Sequence, residues 1–540
     1  MQRTIVITSL AVVALTFAPH IARAQHLKPI PHAIGRPGHA QARVTGAASP
    51  ATPWTPLTNQ PDFLIDGAAN PILLTDGTVL VQDAGFPDWW RLTPDRSGSY
   101  VNGTWTQVAS LPATYSPLYH SSAVLADGRL IIEGGEFLLS PDQSDFVATW
   151  SAQGAIYDPL ANTWTQVAPP PFFTGFGPFA QTIGDAQGTV LADGRFMQAN
   201  CCSTQAALLD TRTLSWTPTG TGKFDENDEE GWTLLPSGKV LTSDAYVGAE
   251  FDPAGTASEI YDPATGAWSS AGSTVQQLWD SAATCGAENA ASFEVGPAVL
   301  RPDGTVFSTG SNLCGAAHTA IFDSVTGRWR AGPDFPDGLG IADGPAALEP
   351  NGKVLMMASP GVFDFPSVFL EWDGKTLTEI PGTPNAPNDS SFFGNMLVLP
   401  TGQILLTDFS NDIEIFTPTV RREEVFQQAV HRPVVAFTPV LLRGGGSYEI
   451  FGFRFNGMSQ GAAYGDDVQA ATNFPIVRVT NLLTGHVFYS RTHDHSSMAV
   501  ASNRLVSTHV DIPADQERGL SKLEVVANGI ASPPVIVFVL

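Results

Sequence analysis

An all-β protein, a seven-bladed β-propeller followed by a smaller β-sandwich, is what three features of this 540-residue sequence predict. A unit made of an apolar run, a turn ending in glycine and a second apolar run recurs seven times. With 51 glycines and 42 prolines the chain is rich in turns, and beyond Gln428 its texture changes to segments that alternate apolar and polar residues. Short strands at regular spacing between turn residues belong to sandwiches, barrels and propellers.

The repeated units are NPILLTDGTVLVQDAG (70–85), YHSSAVLADGRLIIEGG (119–135), QGTVLADGRFMQANCC (187–202), GWTLLPSGKVLTSD (231–244), GPAVLRPDGTVFSTG (296–310), GPAALEPNGKVLMMAS (344–359) and GNMLVLPTGQILLTD (394–408). Their turn glycines run from Gly77 through Gly128, Gly194, Gly238, Gly304 and Gly352 to Gly402, six intervals averaging about 54 residues. That is kelch-type spacing, near the ~50 residues of one four-stranded blade. Glycine suits these turns because it accepts positive φ without a Cβ clash.

A second hairpin follows in most units, as in AIYDPLANTWTQV (155–167), EIYDPATGAWSSA (259–271) and AIFDSVTGRWRAG (320–332). Each leads to a tryptophan, Trp164, Trp268 and Trp329, with Trp105 and Trp216 in equivalent places; a large apolar ring there is expected to wedge between blades. The seventh unit ends in DIEIFTPT (412–419) with no tryptophan strand, while Trp54 stands alone before the first. The N-terminal segment is therefore expected to supply the outer strand of the last blade and close the ring.

The domain plan follows: a signal peptide over 1–24, a flexible Pro/Gly/His-rich leader over 25–52, the propeller over 53–428 and an immunoglobulin-like sandwich over 429–540. Residues 1–24 carry Arg3, an apolar run from Ile5 to Ala18 and the small-residue site Ala22-Arg23-Ala24, the layout of a secretory signal, so a secreted or periplasmic protein is expected. In an oxidising compartment Cys285 and Cys314, which flank one inner strand, are expected to pair; Cys201 and Cys202 are neighbours whose bond would close a strained ring, and they read equally as reduced thiols or as part of a binding surface. Only 15% of residues are charged, against about 25% in an average chain, and the formal charge is −25. That balance opposes nucleic acid and anionic membranes as partners.

Signal segment, kelch-like propeller and C-terminal sandwich together resemble the galactose oxidase and glyoxal oxidase family. The resemblance implies a copper ion held by a cysteine-linked tyrosine, a Tyr-His pair of the last blade and a C-terminal histidine. Tyr119 stands at the linked tyrosine's position, and His493 or His495 in SRTHDHSSM at that of the C-terminal histidine. The cysteine's place holds Ala68 and Ala69, and the Tyr-His pair is Phe392 and Phe393, so the copper-radical site is not expected to assemble.

The segment before each inner strand lines one mouth of a propeller channel. Those segments carry Asp66, Tyr119, His120, Asp185, Asp228, Glu229, Glu230, Glu294 and Asp343, and carboxylates facing one mouth repel unless a cation or base sits among them. DENDEE, Asp225 to Glu230, reads as a solvated loop or as a cation site and hydrogen-bonding rim for a polyol. His493 and His495 alternate and so share a face, a spacing that suits either a metal or plain surface histidines. The first functional expectation is a secreted binding module that takes a small-molecule, carbohydrate or cell-surface ligand through these carboxylates and Trp89, Trp90, Trp232 and Trp279. The alternatives are a metal-dependent oxidoreductase with altered ligands and a hydrolase using the carboxylates as acid and base; calcium or copper is the cofactor left open.

Overall fold

The computed structural model describes residues 52–141, 143, 145–247, 251–280, 293–312, 317–419, 429–467 and 470–540. The expected signal segment, the leader through residue 51, Cys285, Cys314 and the join over 420–428 lie outside the described residues. Among the described residues no helix is long and apolar enough to cross a membrane.

Among the described residues, six antiparallel four-stranded sheets and a larger one built on Ala346–Leu348, Val354–Pro360, Val368–Trp372 and Leu377–Ile380 follow one another between Trp54 and Phe416, with a small three-stranded sheet of Pro117–Leu118, Phe137–Leu139 and Phe146–Ala148 beside the second. The first comprises Ala68–Leu73, Val79–Asp83, Trp89–Thr93 and Thr104–Gln107, in that order from the inside outward. One local device repeats in each of the seven larger sheets: the turn glycine donates its N–H to the carbonyl three residues earlier, as Gly77 to Leu74 (3.0 Å) and Gly402 to Leu399 (2.9 Å). All seven turn glycines have φ between 76° and 90°, where a Cβ would be strained. The outer hairpins rest on an aspartate whose Oδ1 accepts the N–H groups two and three residues on, as in Asp158, Asp210, Asp323 and Asp373.

Inner strands pack side by side: Ala68–Leu73 on Asn395–Val398, Ser121–Val124 on Gly188–Val190, and Val295–Leu300 on Ala346–Leu348. This is a β-propeller. Outer-strand tryptophans staple neighbours, with indole N–H groups donating from Trp105 to Asn59 O, Trp164 to Ala109 O and Trp216 to Ala168 O. Trp54 closes the ring: Trp54–Pro56 pairs with Glu414–Phe416 at the outer edge of the last sheet, and its indole donates to Pro381 O at 2.8 Å.

The C-terminal part is a β-sandwich. One layer holds Val434–Phe437, Ser447–Phe453 and Leu505–Asp511; the other holds Ile476–Asn481, Gly519–Ala527 and Val535–Val539. Strand Val487–His493 belongs to both, pairing first with Ile476–Asn481 and then with Leu505–Asp511. Ile450, Val479, Val510, Leu523 and Val537 fill the space between.

From this sandwich a segment reaches into the propeller channel. Ala462–Ala463 adds a strand to the inner edge of the sixth sheet, against Ala346–Ala347. Gln460 accepts the Leu234 N–H and donates to Thr189 Oγ1, while the Tyr464 hydroxyl donates to Phe392 O. This finger therefore touches the inner edges of four sheets at once.

Candidate functional site

The segments that enter the inner strands gather at one mouth of the channel, as their spacing predicts. Tyr119, Glu229 and Asp343 occupy equivalent places in alternate sheets and share a left-handed backbone, with φ of 53°, 54° and 51°. Non-glycine residues held there are costly and concentrate at sites where side-chain direction matters.

Five carboxylates converge on one side of the mouth. Ligand oxygens of Asp185, Glu229 and Asp466 lie within 4.8 Å of one another, and so do those of Glu229, Glu294 and Asp343. Three sheet-entry segments supply Asp185, Glu229 and Glu294; Asp343 precedes the sixth sheet, and Asp466 comes from the finger tip. All are buried; even Asp185 and Glu229 keep only 4% and 8% exposure. The finger approaches closely because Gly465 has no side chain: a Cβ there would stand 2.0 Å from Asp343 Oδ1. Beside the centre Asp228 is pushed up to about 8 by burial and by the charges of Asp185, Glu226 and Asp466, so it carries its proton at neutral pH. Aromatic rings adjoin it, with Trp279 stacked on Phe293 (5.3 Å) and Phe293 on Tyr246 (4.6 Å), while Asp280 Oδ1 accepts the Glu294 N–H.

Glu230, expected at the same mouth, points elsewhere. Its carboxylate meets buried Lys223 (3.1 Å), which also binds Glu259 (2.7 Å) and lies 3.7 Å from Asp244. Burial pulls Lys223 down; the charges of Glu230, Asp244, Glu259 and Asp225 outweigh burial and hold it charged. Burial in turn pushes Glu230 up to about 8. Asp225 is also absorbed here, its Oδ2 accepting the N–H groups of Ala245 and Tyr246. Asp225 and Glu230 of the DENDEE run are thus internal scaffold, and Asn227 and Glu229 are buried as well, which corrects the reading of the run as a solvated loop.

The opposite side of the mouth does not fit copper. Tyr119 belongs to an apolar cluster with Ala69, Phe137, Phe392, Phe393 and Phe409. His120 is buried with Nε2 3.1 Å from Asn70 Nδ2 and 3.0 Å from Gln82 Oε1, and burial pulls it down to about 4. Among the described residues that line the cavity beside Tyr119, His120 is the one imidazole, which falls short of the nitrogen-rich set that copper prefers.

His493 and His495 do not share a face. Asp494 between them has φ of 51°, which breaks the strand alternation. His493 lies between Asp494 (2.8 Å) and Asp511 (3.2 Å), opposite His509, whereas His495 is buried on Phe474 with Nδ1 2.8 Å from Thr508 Oγ1. Of the four tryptophans expected to hold a ligand, Trp89 and Trp232 are core residues packed between sheets, and Trp90 covers Phe63; Trp279 alone adjoins the acid centre. Asp466 and the finger escaped sequence reasoning. The signal was present in GMSQGAAYGDD (457–467), a run of small residues that breaks the strand alternation of the sandwich.

No family model matches the chain, and no curated protein matches it. Among solved structures it is similar to a fungal alcohol oxidase of the AA5 family in complex with copper, at 13% identity and a TM-score of 0.48, over 90% of this chain and 99% of that one. A streptogramin B lyase matches at 10% identity and 0.42, over 67% and 96%. An inactive virginiamycin B lyase from Staphylococcus aureus with quinupristin matches at 8% identity and 0.44, over 68% and 99%. Such values leave each a distant likeness of shape.

Proposed function

We propose that this chain is an exported, galactose-oxidase-like kelch propeller of seven blades that binds a carbohydrate through a hard cation, calcium, and does not act as a copper-radical oxidase. The observation that carries the reading is the convergence of Asp185, Glu229, Glu294, Asp343 and Asp466 from four sheets and the finger. Calcium takes about six to eight oxygen ligands. Five carboxylates leave positions that two neighbouring sugar hydroxyls complete, and the half-buried faces of Trp279 and Phe293 suit the sugar's CH side. The finger makes the site a joint product of both domains, since Asp466 reaches it only through the channel.

The test is retention on a panel of immobilised glycans with calcium and with a chelator, beside a calcium titration followed by heat. Stoichiometric calcium and retention abolished by the chelator are expected. No calcium uptake, or retention indifferent to it, overturns the reading. A hydrolase is the second reading, favoured by Asp228, a protonated acid beside Asp185 and Asp466. It requires turnover of chromogenic glycosides that Asp228→Asn abolishes.

A further inference from the structure

Cys201 and Cys202 stand on the rim of the acid centre and take no part in the reading above. Cys201 ends the inner hairpin of the third sheet, where its N–H donates to Ile183 O at 3.0 Å and its backbone bridges to Asn227. Its side chain is packed under Gly184, where a Cβ would lie 2.8 Å from Cys201 Cβ, and its Sγ lies 3.5 Å from Asp228 Oδ1. Extended backbone would throw consecutive side chains to opposite faces. Cys202 instead has φ of 58°, which turns its side chain back, and the two Sγ atoms are 2.7 Å apart.

Three oxidation and charge states are open to such a pair: thiolate, dithiol and disulfide. In the metal-free protein the surroundings of the pair disfavour the thiolate. Against the hydrogen bond from Cys201, burial and the charges of Asp228, Asp185 and Glu226 push the Cys202 thiol up to about 12, and burial raises Cys201 as well. Of the two uncharged states, the disulfide sheds both thiol protons and fixes the two side chains in the turned-back geometry that already brings their Sγ atoms to 2.7 Å.

We propose that Cys201 and Cys202 are a modification site, oxidised as the chain folds to a vicinal disulfide that forms a neutral, rigid wall of the acid centre. The reaction is thiol–disulfide exchange with a donor disulfide, a small-molecule disulfide or an oxidoreductase. One thiolate attacks the donor and releases one donor thiol; the second cysteine then displaces the other. The Sγ–Sγ bond forms, the donor S–S bond breaks, and two electrons and two protons pass to the donor. Exchange needs a thiolate, so it precedes burial of the pair, and a chain that folds reduced oxidises slowly afterwards.

The experiment is peptide mapping of the full chain, exported through residues 1–24 or refolded in a glutathione redox buffer, and alkylated under denaturing conditions without reductant. Trypsin releases Phe196–Arg212, which holds both of these cysteines and neither of the others. The expected result is a peptide lighter by two hydrogens that takes no label, and takes two labels once reduced. Two labels without reduction overturn the proposal, and so does a crosslink from either residue to Cys285 or Cys314.

Discussion

Glu229→Gln tests the acid centre because Glu229 belongs to both carboxylate triads and faces Asp185, Asp466, Glu294 and Asp343. Two unit charges at the 4.8 Å limit of those triads repel by about 3.5 kcal/mol at an effective dielectric constant of about 20. Protonation of some members relieves part of this, so removing one shared charge should stabilise the calcium-free protein by about 3 kcal/mol. Calcium acts on the wild type in the same direction, by about 2.7 kcal/mol when the free ion is at 100 times its Kd. With an unfolding entropy of about 2.1 cal/mol/K per residue, a chain of 540 residues shifts by about 1 °C per kcal/mol, so each step is a rise of about 3 °C in Tm. The signature is a crossing pattern in calorimetry: calcium raises the wild-type Tm, Glu229→Gln starts higher without calcium, and calcium adds little to it. A wild type indifferent to calcium, together with a variant less stable than the wild type without it, would refute the reasoning, because the carboxylates would then be satisfied by protein donors that glutamine cannot replace.

Other expectations rest on single contacts. Trp54, 3% exposed and packed on Phe369 and Phe416, closes the ring, so Trp54→Ala should cost about 3–5 kcal/mol in chemical denaturation, more than the half-exposed Trp105→Ala; equal costs would sink the closure. Glu414 is held up to about 10, chiefly by burial and then by Asp408 and Asp412. A raised folded pKa gives stability that is full below the unfolded value of about 4.5 and lost as pH rises towards 10, so Glu414→Gln should be the more stable form at pH 8 by about 3–5 kcal/mol and should flatten the alkaline slope of Tm. His120, pulled down to about 4 by burial, has the opposite sign: its contribution is full above about 6.5 and about 3 kcal/mol of it is lost as pH falls to 4, a slope that His120→Gln should remove from an acid titration of stability. Protein loaded with Cu(II) under oxygen should release no peroxide from galactose, glyoxal or primary alcohols; peroxide release that Tyr119→Phe abolishes would restore the oxidase reading.

What was legible in the sequence is what repeats. Seven glycines at φ near 80° each report one turn, and the outer aspartates and tryptophans report the second hairpin, because local backbone chemistry imposes the same solution each time. Ring closure was legible by subtraction, since Trp54 had no sheet of its own and the last unit lacked its tryptophan. The mouth was half legible. Position before an inner strand picked out Asp185, Glu229, Glu294 and Asp343, whose carboxylates lie close together, but it says nothing about where a side chain turns. Glu230, one residue beyond Glu229, goes to Lys223, and a left-handed φ at Glu229 separates the two. Likewise alternation placed His493 and His495 together until one positive φ at Asp494 parted them.

Asp466 lay beyond any periodic argument, because it reaches the centre through tertiary threading: Asn528 fixes the finger's base by accepting the N–H groups of Met458 and Ser459, and Ala462–Ala463 joins a sheet from another domain. The same threading bears on function. A propeller alone would bring four of the five carboxylates to the mouth, and the sandwich contributes the fifth together with the glycine that admits it. A site completed only when both domains are docked gives ligand binding a share in holding them together. Calcium should accordingly narrow any gap between the unfolding of the two domains, and Asp466→Asn, which leaves the finger's backbone contacts in place, should remove that effect while the calcium-free transition remains as broad as before.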